Sequence, residues 1–111
     1  MKLKVETVDC FTLSDIQGLD PVTAYFSDQS PGQGRLTVVC YGTAWTAWWG
    51  SMGSGATVRE FVRSLDAGYL YGCLVRSNYS HGKQTKQQEE YLRRVIAALF
   101  QTLKETPHAH P

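Results

Sequence analysis

Polar and apolar residues alternate at the start of the chain. Leu3, Val5, Thr7 and Asp9 fall on one side of a period-2 pattern, with Lys4, Glu6 and Val8 on the other. That pattern predicts a half-buried strand. Ser14 to Pro21 holds Gly18 and Asp20-Pro21 and reads as a loop. Val22 to Phe26 is β-branched and aromatic, so a second strand is expected there. Asp28 to Gly34 is dense in turn formers, with Pro31 fixing φ and Gly32 and Gly34 permitting φ > 0. It predicts a hairpin loop. Leu36 to Tyr41 is an apolar run of the kind found in a central strand.

Residues 43–50 carry three tryptophans and read in two ways. On a strand, Trp45, Ala47 and Trp49 share one face and Trp48 points to the other. On a helix, Trp45, Trp48 and Trp49 form one i, i+3, i+4 face. Gly42 and Gly50 bracket the segment at strand-like length, which favours the extended reading.

The period then changes. A Gly/Ser loop covers residues 51–56, and Thr57-Val-Arg-Glu60 has capping-box spacing. Val58, Phe61, Val62 and Leu65 follow on one helical face. Tyr69, Leu70, Cys73 and Leu74 keep helical spacing, but Gly68 and Gly72 weaken it. A break near Gly68 and a short second element are expected. Arg76 to Gln84 is polar and loop-like, and Thr85-Lys-Gln-Gln88 offers a second capping box. The last helix carries one apolar stripe of Tyr91, Leu92, Val95, Ile96, Leu99, Phe100 and Leu103. Pro107 marks its stop. Strands first and helices later predict an α+β fold. Three to four antiparallel strands in the N-terminal half pack against two to three helices in the C-terminal half. One domain is expected over residues 1–106, with a frayed tail at 107–111.

At 111 residues and 42% hydrophobic, the chain can hold a core without disulfide or metal staples. No apolar run is long enough to span a bilayer, and Met1 to Asp9 lacks the apolar segment of a secretory signal. A cytoplasmic protein is expected. Cys10, Cys40 and Cys73 are odd in number and form no Cys-x-x-Cys pair. They predict free thiols, buried or half-buried, and no thiolate metal site. The net charge of +1 gives no global nucleic-acid signature. The charge is unevenly spread, with −3 over residues 1–34 and +4 over residues 35–111.

Candidate chemistry is sparse. Gly50 to Thr57 has the glycine spacing of a phosphate-binding loop, but Ala56 stands where the nucleotide-binding lysine must be. His108 and His110 sit in a proline-flanked tail and His81 in a polar loop, and no catalytic set or metal site forms around them. Asp15, Asp20, Asp28 and Asp66 fall where loops and element ends ordinarily use Asp. No cofactor and no enzymatic activity are expected. The dense aromatic group of Tyr41, Trp45, Trp48 and Trp49 is the better signal, since tryptophan is enriched at binding hot spots. With Met52 beside them, Trp45, Trp48 and Trp49 form the candidate partner-binding set. Tyr69, Tyr71 and Tyr79 interleave with Arg63, Arg76, Lys83 and Lys86, a combination that can stack on and neutralise single-stranded nucleic acid.

The stretch from Arg35 through Cys40-Tyr-Gly, Trp45-Thr-Ala-Trp-Trp-Gly50 and Met52-Gly53 resembles a segment of small accessory proteins encoded by tailed phages and prophages. Thr57-Val-Arg-Glu-Phe61, Asp66-Ala-Gly-Tyr-Leu70 and Glu90-Tyr-Leu-Arg-Arg-Val-Ile96 extend the resemblance over about residues 22–104. It transfers no activity and no catalytic residues. It implies a gene product acting in the cytoplasm of an infected bacterium. The expectation is a non-enzymatic binding protein, monomer or homodimer, of the type that inhibits a host defence complex (anti-CRISPR or anti-restriction). The alternative is a nucleic-acid-binding accessory protein using the basic C-terminal half. No membrane partner is expected.

Overall fold

A computed structural model describes residues 1–3, 5–6, 8–53, 55–78 and 85–105. Four strands precede three helices: β1 (Val8–Leu13), β2 (Val22–Ser30), β3 (Gln33–Cys40), β4 (Thr43–Trp49), α1 (Val58–Arg63), α2 (Ala67–Asn78) and α3 (Lys86–Glu105). The strands form one antiparallel sheet in the order β1-β2-β3-β4. This is the α+β arrangement that the change of period predicts.

One face of the sheet is the floor of the core. Val22, Ala24 and Phe26 from β2, Leu36, Val38 and Cys40 from β3, and Trp45, Ala47 and Trp49 from β4 are all buried. Each set alternates by two, as a sheet with one covered face requires. Helix residues close the core from above: Val58 and Val62 of α1, Leu70 and Leu74 of α2, and Leu92, Val95, Ile96, Leu99, Phe100 and Leu103 of α3. The other face of the sheet carries threonines, with Thr37 and Thr46 joined through their hydroxyls at 2.7 Å and Thr12 and Thr23 at 3.0 Å.

The first strand lies further along than its alternation suggests. Leu3 and Val5 are exposed, and the strand opens at Val8. Phe11 and Leu13 are what pack against the core, and they continue the same parity as Leu3 and Val5. Lys4 and Thr7 lie outside the described residues. Cys10 faces outward and is exposed, against the expectation of a buried or half-buried thiol, because it alternates with Phe11 and pairs with Tyr25 on the uncovered face. The β2–β3 loop also shrinks, with Pro31-Gly32 making the turn between Ser30 and Gln33. Tyr41 (φ 49°) and Gly42 (φ 75°) form a two-residue turn between β3 and β4. Positive φ at both positions matches the twist of the flanking strands.

The capping box at Thr57 forms, with the Thr57 hydroxyl accepting from the Glu60 amide. Asp28 on β2 adds a second anchor, accepting the Val58 amide at 2.7 Å. The helix break near Gly68 falls at residues 64–66, but the second element is not short. Asp66 accepts the Tyr69 amide, and α2 then runs twelve residues through Gly68 and Gly72. An Asp cap and the buried pair Leu70 and Leu74 outweigh about 1 kcal/mol of helix cost per glycine. The Pro107 stop and the tail at 107–111 lie outside the described residues.

Candidate functional site

The hairpin through Tyr41-Gly42 sets the register of β3 against β4, and that register puts Arg35 directly opposite Trp48. Both side chains point away from the core. Trp49, the next residue, is buried, as are Trp45 and Met52. Met52 is further tied down by its amide, which donates to the Gly32 carbonyl at 2.8 Å. Burial removes Trp45, Trp49 and Met52 from any protein-docking surface and leaves Trp48, 54% exposed, to present one.

Trp48 is held, not splayed into water. Its indole N–H donates to Gln29 Oε1 at 2.7 Å. Its ring lies against Gly50, where a Cβ would come within 2.7 Å of the ring carbons. The helix α2 runs beside β4, and the two enclose a cleft of about 270 Å³ lined by Thr46, Ala47, Trp48, Cys73 and Arg76. Arg76 Nε donates to the Gly72 carbonyl, which holds the guanidinium base close to its own helix. The indole therefore has a cation across the strand at Arg35 and another across the cleft at Arg76. An exposed indole paired in register with Arg35 and lining a cleft with Arg76 suits an acidic or aromatic partner group.

The remaining basic candidates do not gather around it. Arg63 is exposed and shares a shallow cavity with Glu60, Ser64 and Lys104. Lys86 opens α3. Lys83, Tyr79, His81, His108 and His110 lie outside the described residues. Tyr69 is exposed, whereas Tyr71 is covered by Arg93, whose guanidinium carbon sits 4.1 Å from the ring centroid. Arg94 donates to the Gln17 carbonyl. Arg59 is buried against Asp9 at 2.7 Å and lies over the Phe11 and Phe26 rings. Much of the positive charge in the second half is thus engaged within the fold.

Arg35 is the residue that sequence reasoning passes over. The signal was the Tyr41-Gly42 turn, since a two-residue loop pairs Cys40 with Thr43 and hence Arg35 with Trp48.

The Gly50–Thr57 stretch does not form a phosphate site. The preceding sheet is antiparallel, and α1 is only six residues long. Ser54 in that loop lies outside the described residues. Among the described residues no three His, Cys, Asp or Glu side chains converge on a metal-sized site. No helix among them is long and apolar enough to cross a membrane.

A family model described as a phage family matches residues 1–104. No curated protein and no solved structure matches the chain.

Proposed function

The chain belongs to this phage family, and on that premise we propose that it is a non-enzymatic binding protein. It works by stoichiometric attachment to a host protein complex in the bacterial cytoplasm, of the kind that defends against phage, as anti-CRISPR and anti-restriction proteins do. No cofactor is needed for such a role. What carries the reading is Trp48, a large aromatic side chain left half exposed, fixed by Gln29, opposite Arg35 in the sheet register and sharing a cleft with Arg76. Trp and Arg are the residue types that dominate binding hot spots, and a fixed rotamer lowers the entropy lost on docking.

The test is a tagged pull-down from nuclease-treated host lysate, comparing wild type with Trp48→Ala and Arg76→Ala. A stoichiometric protein partner lost in both variants, with circular dichroism unchanged, supports the reading. Equal capture by wild type and Trp48→Ala refutes the role of this surface.

Nucleic-acid binding is the second reading, favoured by the same exposed indole with Arg35 opposite it in the register and Arg76 on the cleft. A base can stack on Trp48 while Arg35 and Arg76 meet phosphates. Affinity for a single strand should then fall steeply with salt, and Arg35→Ala or Arg76→Ala should flatten the slope. Binding that does not respond to salt removes this reading.

A further inference from the structure

The two edges of the sheet differ. Beside β4 runs α2, and the two share the Trp48 cleft. Beside β1 the one element in extended contact is β2. An uncovered edge leaves a row of backbone donors and acceptors open to a further strand. The usual protections against that are missing from β1. Its sequence, Val8-Asp-Cys-Phe-Thr-Leu13, holds no proline and no lysine, and its ladder with β2 runs without a bulge. Its single charge, Asp9, is paired with Arg59.

The chain just ahead of β1 has the matching peculiarity. Leu3 and Val5 are 89% and 86% exposed, and Val8 is half exposed. Leu3 and Val5 alternate in step with Phe11 and Leu13, yet among the described residues no strand pairs with them. We propose that the chain forms a two-fold dimer, with β1 of one copy antiparallel to β1 of the second and centred on Val8. Leu3 and Val5 of each copy then extend along the edge of the other.

Side-chain parity and charge choose this register. Opposed residues in an antiparallel pair share a face, so Leu3 and Val5 must meet the side of β1 that carries Asp9, Phe11 and Leu13. Centring on Val8 puts Leu3 opposite Leu13, Val5 opposite Phe11, and the two Val8 side chains opposite each other. A shift one way puts Val5 opposite Asp9. A shift the other way puts the two Asp9 carboxylates opposite each other, and like charges so placed are destabilising. The Val8 register also sets Lys2 beside Ser14 and Asp15 of the second copy, an exposed cation next to an exposed anion. Phe11 and Leu13 are only half-buried in the single chain, so they have surface left to cover.

The dimer has a bearing on the Trp48 surface without depending on it. Since β1 and β4 are opposite edges, pairing leaves Trp48 open in both copies. A two-fold axis normal to the sheet turns both indoles the same way. One dimer would then offer two equal attachment points to a symmetric or repeated partner.

Sedimentation equilibrium of the full chain with reductant present, from about 1 to 200 μM protomer, tests the association. The mass should approach twice 12.4 kDa. The double variant Leu3→Ser/Val5→Ser changes two exposed positions and leaves the core intact. It should raise the dissociation constant about a hundredfold or more, because four apolar side chains per dimer lose their cover. Val8→Lys, which sets two like charges on the axis, should also leave a monomer. Circular dichroism should match wild type for both. The register is read by oxidation with copper phenanthroline. Val8→Cys in a Cys10→Ser background should form a linked dimer, whereas Cys10 of the wild type, four residues out of register with its counterpart, should not. A wild-type chain that stays monomeric over the whole range overturns the proposal. So does a dimer that survives both the arm variant and Val8→Lys, which would place the contact elsewhere. Ready linkage through Cys10 but not through Val8→Cys overturns the register.

Discussion

Replacing Gly34 by Ala tests how α1 is seated on the sheet. Gly34 is buried, and a Cβ there would strike Val58 Cγ2 and come within 2.7 Å of the Ser27 carbonyl oxygen. The difficulty is space, since no positive φ is involved. Val58 cannot simply step aside, because its amide is bonded to Asp28 and its side chain is fully buried. The Ser27 carbonyl belongs to β2 and is fixed by the ladder. Overpacking usually costs about 1–3 kcal/mol, and a backbone obstacle places this case near 3. That is a large share of the ~5–15 kcal/mol that holds a domain together. Tm should fall by on the order of 10 °C. Val58→Ala alone should cost about 2 kcal/mol, through lost methyl burial and the void left behind. The double variant should cost about 1–2 kcal/mol less than the two singles summed, since removing Cγ2 makes room for the new methyl. Urea unfolding followed by circular dichroism measures all three. A Gly34→Ala cost under about 0.5 kcal/mol, or strict additivity, would show that α1 does not rest on this glycine.

The adjacent tryptophans should separate cleanly. Trp49→Ala should cost about 3–5 kcal/mol, as for a buried aromatic, whereas Trp48→Ala should cost about 1–2 because half its surface is already wet; urea titrations of the two variants measure the gap. Glu60 predicts a pH dependence. The Thr57 hydroxyl, then the Thr57 amide, hold its carboxyl below the ordinary carboxylate range, so its stabilisation is full above that range and is lost as pH falls through the folded value. The Tm advantage of wild type over Glu60→Gln at pH 7 should therefore shrink toward pH 3, and an advantage that grows on acidification would reverse the sign. Tyr91→Phe should cost about 1 kcal/mol by deleting the hydroxyl between Cys40 and Asp20, measured by the same denaturation.

Much of the architecture was legible because local and global signals agree. The period change from two to three-and-a-half marks the passage from sheet to helix, and both the Thr57 and Thr85 boxes form where their spacing places them. The first strand was misplaced because alternation alone does not say where pairing begins. Leu3 and Val5 have the right parity, yet only from Val8 onward does β1 find β2 beside it. The length of α2, expected to be short, was misjudged for a related reason, since propensity is local and the burial of Leu70 and Leu74 is not. The candidate site was half legible. Strand parity separated Trp48 from Trp45 and Trp49, but the cleft needs α2 against β4, a contact between segments with no local signature.

The chain order of the layers has a consequence for synthesis. Every strand pairs with its predecessor, so the sheet can form as soon as β4 leaves the ribosome. Its apolar face then waits for a cover that comes last, since α3 supplies six of the buried helix residues and ends at Glu105. At ~5–20 residues per second, several seconds pass between the end of β4 and the end of α3. During that interval Phe26, Leu36, Val38 and Trp45 face water or whatever else is near. A nascent chain of this protein is thus a sticky half-sandwich for far longer than its hairpins take to close, and α1, pinned by Asp28, is the first partial shield it acquires.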